Sequence, residues 1–262
     1  MTARRTSAGL MLALIGLALP ACAAPASGTV SAAAPTSVPP PAGVRWPAAG
    51  ALFGGPPDRL GAHYCSAAVV DAPSGDLVIT AAHCVADGDG SPPQTGMSFV
   101  PGYHDHVAPF GVWTVTAAAV DDSWRDHADP DHDVAFLHVA RDGAPPVETV
   151  TGGYHLQLNP DPVTPVDAIG YPDFADAPTE RTGTTSSFSP TQLRLDAPGL
   201  YDGTSGGPWL RTAGGGAAGP GVSTVIAVTG GYEQGGLDPD TSYATYLGAA
   251  AAALFRQAGG IA

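Results

Sequence analysis

Gly203-Thr204-Ser205-Gly206-Gly207-Pro208-Trp209-Leu210 sets one serine in a glycine-flanked turn that runs into an apolar strand. A turn of this kind presents a hydroxyl outward while neighbouring backbone N–H groups converge on one point. Acyl transfer needs both, a nucleophile and an oxyanion site from the same loop. Glycine permits the turn because it lacks a Cβ and enters φ > 0 at little cost. The stretch alone is also what an ordinary Gly/Ser turn looks like, so the remaining sequence has to supply a base and an acid.

Two stretches offer them. Thr80-Ala81-Ala82-His83-Cys84-Val85 puts a histidine at the end of an apolar run. It reads as a zinc ligand, a surface histidine or a catalytic base. Zinc asks for further Cys or His partners at short spacing, and beyond the adjacent Cys84 none lies within ten residues. Asp131-His132-Asp133-Val134-Ala135-Phe136-Leu137 puts an acid directly before another apolar run. Such a carboxylate can accept from a histidine Nδ1–H and fix its tautomer; otherwise it caps a turn. The chain order is His83, Asp133, Ser205. An α/β-hydrolase carries its histidine after the nucleophile, and the last histidine here is His155. A subtilisin-type order needs an acid before the histidine, and Asp58, Asp71 and Asp76 stand in no recognisable context.

Around these stretches short strand-like runs alternate with Gly, Pro and Asp: Tyr64–Val70, Leu77–Thr80, Met97–Val100, Phe110–Val120, Asp133–Val139, Val163–Ile169, Gln192–Leu195, Pro208–Leu210, Val222–Thr229 and Ser242–Tyr246. Thirty-five glycines and 27 prolines favour turns over long helices, and many short strands point to a sandwich or barrel. Only Leu247–Gln257 reads as a helix, with Leu247, Ala250 and Leu254 on one face. The formal charge is −14 and every cation is arginine. An acidic chain without a basic cluster is a poor nucleic-acid binder.

Residues 1–22 read as an export signal: Arg4 and Arg5, an apolar run from Ala8 to Leu19, then small residues. The run is too short to span a bilayer comfortably. Ala21-Cys22-Ala23 fits a cleavage site, whereas Leu19-Pro20-Ala21-Cys22 resembles a lipobox, with Cys22 lipidated as a membrane tether; the lipoprotein form is favoured. Cysteine counting agrees, because Cys65 and Cys84 can pair and Cys22 is then discarded or lipidated. Residues 23–45 form an Ala/Pro/Ser-rich linker, with Pro39-Pro40-Pro41 extended.

Cys65-Ser66-Ala67-Ala68-Val69-Val70, the His83 and Asp133 stretches, Gly170-Tyr171-Pro172 and the Ser205 stretch together resemble the trypsin-like, chymotrypsin-fold serine proteases in their exported bacterial form. The resemblance implies an all-β domain over 46–262: two six-stranded antiparallel barrels packed face to face, a C-terminal helix, and the site between them. It implies a serine endopeptidase acting on protein or peptide substrates, secreted or anchored on the outer face of the membrane, monomeric and without a cofactor. His83 would be the base, Asp133 its orienting acid and Ser205 the nucleophile. The N–H groups of Gly203 and Ser205 would form the oxyanion site, and Cys65 and Cys84 the family's disulfide.

Thr204 departs from the family. Animal-type members place there an aspartate that pairs with a freed N-terminus, and no start resembling theirs occurs in residues 24–64. The expectation is an oxyanion loop that forms without that trigger. Gly199 stands where trypsin-specific members carry Asp, and the histidine that glutamate-specific members carry after the serine is missing. A neutral or apolar P1 side chain is therefore expected, with Gly199, Asp202, Gly230, Gly231 and Tyr232 as substrate-binding residues, the last three in the substrate-aligning strand. His104, His106, His127, Asp129, Asp131 and His132 read as solvated loop rather than a metal site. The alternatives are an inactive protease-fold binding protein on the cell surface, or an esterase on the same scaffold.

Overall fold

The computed structural model describes residues 44–211 and 223–261; Cys22, the expected signal and nearly all of the expected linker lie outside them. Six strands make a closed barrel: β1 (Ala49–Phe53), β2 (His63–Val69), β3 (Leu77–Thr80), β4 (Ser98–Pro101), β5 (Trp113–Val120) and β6 (Ala135–Ala140). Their order is β1-β2-β3-β6-β5-β4, and β4 pairs back onto β1. Its core is aliphatic and aromatic, with Leu77, Ile79, Phe99, Trp113 and Phe136 all nearly or fully inaccessible. Full burial explains why β1, Ala-Gly-Ala-Leu-Phe, shows no alternation that would mark it in the sequence. A short helix α1 (Asp122–His127) follows β5, capped by the Asp121 side chain on the Ser123 N–H.

After α2 (Val147–Thr151) come β7 (His155–Leu156), β8 (Pro165–Gly170), β9 (Thr179–Thr184), β10 (Ser186–Ser189), β11 (Gln192–Leu195), β12 (Pro208–Arg211), β13 (Thr224–Val228) and β14 (Ser242–Thr245). They form a five-stranded sheet, β7-β13-β12-β8-β9, and a three-stranded one, β10-β11-β14. A bridge between Thr229 and Ala244 joins the two. This half therefore curls as two linked sheets, where one six-stranded ring was expected. Val166, Leu193, Leu195, Trp209 and Ile226 fill it. The architecture is the two-barrel chymotrypsin-like fold.

Helix α3 (Ala249–Gln257) lies against the first barrel, where the Phe255 ring packs 5.1 Å from that of Phe136. Its buried face is Ala251, Ala252, Leu254 and Phe255, following Leu247; Ala250 is turned half outward. The expected stripe is correct except for that one-residue rotation.

Candidate active site

The first barrel supplies a histidine and a carboxylate. After β3, Ala81 and Ala82 are fully buried, and a 3₁₀ turn, Ala82–Cys84, carries His83. Cys65 on β2 is disulfide-bonded to Cys84 in that turn, and the Tyr64 hydroxyl donates to the Cys84 carbonyl at 3.1 Å. Asp133 follows the 3₁₀ turn Pro130–His132, which the Asp129 side chain caps on the Asp131 N–H. The Asp133 side chain is 0% exposed. A buried carboxylate is costly unless its oxygens are matched by donors. Here Oδ1 accepts from the His83 backbone N–H at 2.9 Å, and Oδ2 accepts from His83 Nδ1 at 2.8 Å and the Gly231 N–H at 2.7 Å. A carboxylate only accepts, so Nδ1 is the donor in this contact, and in a neutral ring Nε2 is left as an acceptor.

The second half supplies the serine. Gly203 and Gly206 sit at φ +89° and +77°. A Cβ on Gly203 would lie 2.5 Å from the Asp173 nitrogen, and one on Gly206 2.1 Å from Thr80 Oγ1, so neither site admits a side chain. Thr204 closes its own turn, its N–H and Oγ1 both donating to the Tyr201 carbonyl at 3.0 and 2.7 Å. The Gly206 N–H donates to Thr229 O at 2.7 Å, and the Ser205 carbonyl accepts from the Ser66 N–H at 2.7 Å. The Cys84 sulfur is 3.8 Å from that same carbonyl oxygen. Hence the turn bearing His83 and the loop bearing Ser205 are neighbours.

Two features of the loop bear on chemistry. Neither the Gly203 nor the Ser205 N–H finds an acceptor among the described residues. The Ser205 hydroxyl points to the Gln234 carbonyl, at 3.5 Å, and no hydrogen bond joins it to His83 among the described residues. Such bonds are often long before substrate arrives. Gln234 belongs to a turn, Tyr232–Gly235, in which Glu233 and Gln234 have φ of +47° and +56°.

That turn changes one expectation. Gly230, Gly231 and Tyr232 do not run on as an extended edge. The Gly231 N–H is taken by Asp133, the Tyr232 N–H by Gln192 Oε1 at 3.2 Å, and the chain then coils back over Ser205. A cavity of about 300 Å³ opens beside Ser205. Asp173, Asp202 and Asp238 border it together with Phe174, Leu200 and Leu237. Of the five residues expected to bind substrate, Asp202 lines it; Gly199, Gly230, Gly231 and Tyr232 do not. A Cβ at Gly199 would meet the Arg181 guanidinium at 2.5 Å. The histidine- and aspartate-rich residues are divided between loops, and several of them bond to residues outside the group. His106 pairs with Asp176 at 3.1 Å, His132 with Asp121 at 3.0 Å, and Asp131 accepts from Gln192 at 2.9 Å.

A family model described as a trypsin-like peptidase domain matches residues 65–218, more than half of the sequence. The chain belongs to that family. No curated protein matches it. Among solved structures, this trypsin-like peptidase is similar to the protease Anisep from Arthrobacter nicotinovorans, at 24% identity and TM-score 0.69, over 82% of this chain and 97% of the other. The thermostable serine protease AL20 from an extremophilic microorganism gives 24% and 0.68, over 81% and 97%. A Glu endopeptidase gives 18% and 0.63, over 83% and 92%.

Sequence reasoning did not find Ser66, Gln192 or Gln234. Buried Gln192 spans the cleft, its Nε2 donating to Pro130 O at 2.7 Å and to Asp131, its Oε1 accepting from Tyr232. Only Ser66 sat in a stretch that carried the family resemblance, and nothing in one sequence marks its hydroxyl.

Proposed function

We propose that this trypsin-like peptidase is an exported serine endopeptidase in which His83, Asp133 and Ser205 form the catalytic triad. The observation that carries the reading is His83, held through Nδ1 by a buried carboxylate, beside a serine loop whose Gly203 and Ser205 amides have no acceptor among the described residues. On substrate binding, the Ser205 hydroxyl turns from Gln234 to His83 Nε2. His83 takes its proton as Oγ attacks the peptide carbonyl, and Asp133 stabilises the imidazolium. The Gly203 and Ser205 N–H groups hold the developing oxyanion, each donor worth about 3–4 kcal/mol. The tetrahedral intermediate collapses as His83 gives its proton to the leaving amine. Water, deprotonated by His83, then attacks the acyl-enzyme and releases the acid.

Residues 1–22 serve as the signal, 23–45 as a linker and 46–262 as the peptidase domain, with Cys22 as a lipid tether on the outer face of the membrane. The domain works as a monomer, and the oxyanion loop needs no freed N-terminus because Thr204 closes it. The three aspartates beside the cavity oppose an acidic P1 side chain by like charge and would attract a basic one; the neutral or apolar preference rests on Gly199 standing where trypsin-specific members carry Asp.

Fluorophosphonate labelling of the signal-free protein, read by intact mass, tests this. One adduct on the wild type and none on Ser205→Ala is expected, with casein hydrolysis lost in parallel. A folded wild type that takes no label and spares casein overturns the endopeptidase reading in favour of a binding protein. Labelling with cleavage of small esters alone favours the esterase.

A further inference from the structure

Ser66, on β2 of the first barrel, is 0% exposed, yet all its polar groups are used. The hydroxyl donates to the Gly203 carbonyl at 2.9 Å and accepts from the Tyr171 N–H at 2.8 Å. The N–H donates to the Ser205 carbonyl at 2.7 Å, and the carbonyl accepts from Thr80 Oγ1 at 2.8 Å. Gly203 and Ser205 belong to the second half, so one small residue ties both ends of the nucleophile turn to the opposite barrel.

A trans peptide points its C=O and N–H in opposite directions, so holding a carbonyl aims the amide behind it. The Asp202 carbonyl accepts from the Asp173 N–H at 2.9 Å, which turns the Gly203 N–H away from that contact. The Ser205 N–H shares its peptide with the Thr204 carbonyl, which accepts from the Gly207 N–H at 2.9 Å; the peptides on either side carry the Gly203 and Ser205 carbonyls, and Ser66 holds both of these flanks. Tyr171, which anchors the Ser66 hydroxyl, is two residues from Asp173 in the segment after β8.

We propose that Ser66 is a positioning residue for the oxyanion site: its hydroxyl and amide clamp the Gly203 and Ser205 carbonyls so that the Gly203 and Ser205 N–H groups converge. This rests on the serine-peptidase reading. It assigns to a neutral, buried hydroxyl the holding of a loop that has Thr204 where an ion-paired aspartate would otherwise stand.

Ser66→Ala removes the hydroxyl and keeps the N–H. We expect kcat on a peptide amide to fall about tenfold to a hundredfold, less than loss of a donor itself, with KM within about twofold. A peptide aldehyde, whose hemiacetal oxygen occupies the oxyanion site, should weaken by the same factor, whereas the amine-side product peptide, which lacks that oxygen, should bind as before. Hydrogen exchange should rise at residues 203–207 and stay unchanged in β3 and β6. Ser66→Thr, which keeps the hydroxyl, should restore most of kcat. If Ser66→Ala does not fold, Ser66→Cys keeps the volume with a weaker donor and should give the same pattern at smaller amplitude.

Unchanged kcat and aldehyde affinity in Ser66→Ala would overturn the proposal, as would exchange rising through both barrels with kcat and KM moving together. A wild type that takes fluorophosphonate beside an unaltered Ser66→Ala sinks this inference alone. A wild type that takes none sinks the peptidase reading and this inference with it.

Discussion

Asp133 draws three N–H donors onto a fully buried carboxylate, while the Ser205 loop on the facing half is held by neutral carbonyl, amide and hydroxyl contacts with no ion pair among them. Charge fixes one side of the cleft, and the glycine-shaped backbone fixes the other. A charge-held group is sensitive to the loss of a single charge. A shape-held loop is sensitive to one added methyl. Substitutions that leave size alone should damage the first side, and substitutions that leave charge alone the second.

The largest expected effect is on the charged side. Asp133→Asn preserves size but places an amide against His83 and favours the wrong ring tautomer. On the proposed mechanism kcat falls on the order of 10⁴-fold, measured by ester hydrolysis at saturation. A loss within tenfold would show that the carboxylate's charge is not what holds that side.

Next comes Gly203→Ala, which changes no charge. At φ +89° its Cβ would stand 2.5 Å from the Asp173 nitrogen and 2.6 Å from the Tyr171 carbonyl oxygen, so the loop must shift. We expect about 10² to 10³-fold loss of kcat, with the near-ultraviolet circular dichroism of the barrels kept. Wild-type turnover in this variant would remove shape as the organising factor there.

The smallest effect sharpens the contrast at the seam between the halves. Burial pushes the phenols of Tyr154 and Tyr171 well above the ordinary tyrosine range. Burial, and secondarily the hydrogen bond to Asp176, pushes Tyr103 up to about 12. These groups stay protonated in the fold and ionise near 10 when unfolded, so their contribution is complete below pH 10 and is lost as pH rises toward 12. Urea midpoints at pH 9, 10 and 11, with phenolate absorbance followed in parallel, should show stability falling only above 10. All eight tyrosines ionising together near 10 in the native protein would contradict it.

Much of this was legible in the sequence, and unevenly. His83, Asp133 and Ser205 lie in stretches whose local composition is set by their own turns. Strands with an apolar run and a clear breaker, such as Leu77–Thr80 and Gln192–Leu195, have the expected limits. β1 escaped because total burial erases alternation. β9 and β10 escaped because Thr-Glu-Arg-Thr-Gly-Thr and Ser-Ser-Phe-Ser are polar or short and show no apolar alternation, although each pairs with its neighbour in sequence, β8 and β11. Distance along the chain is what hid Ser66 and Gln192, whose partners lie 137 and 62 residues away. The Tyr232–Gly235 turn was hidden differently: its left-handed glutamate and glutamine follow no local preference.

The disulfide between Cys65 and Cys84 has one more implication. It pins the turn that carries His83, and its Cys84 sulfur rests against the Ser205 carbonyl. Such a bond is rarely made where thiols are kept reduced. On the export proposed above, a copy that folds beforehand would thus lack the brace beside both residues, and oxidation on arrival would complete it. On the proposed reading, the timing of activity would be set by compartment chemistry, with no proteolytic cut required.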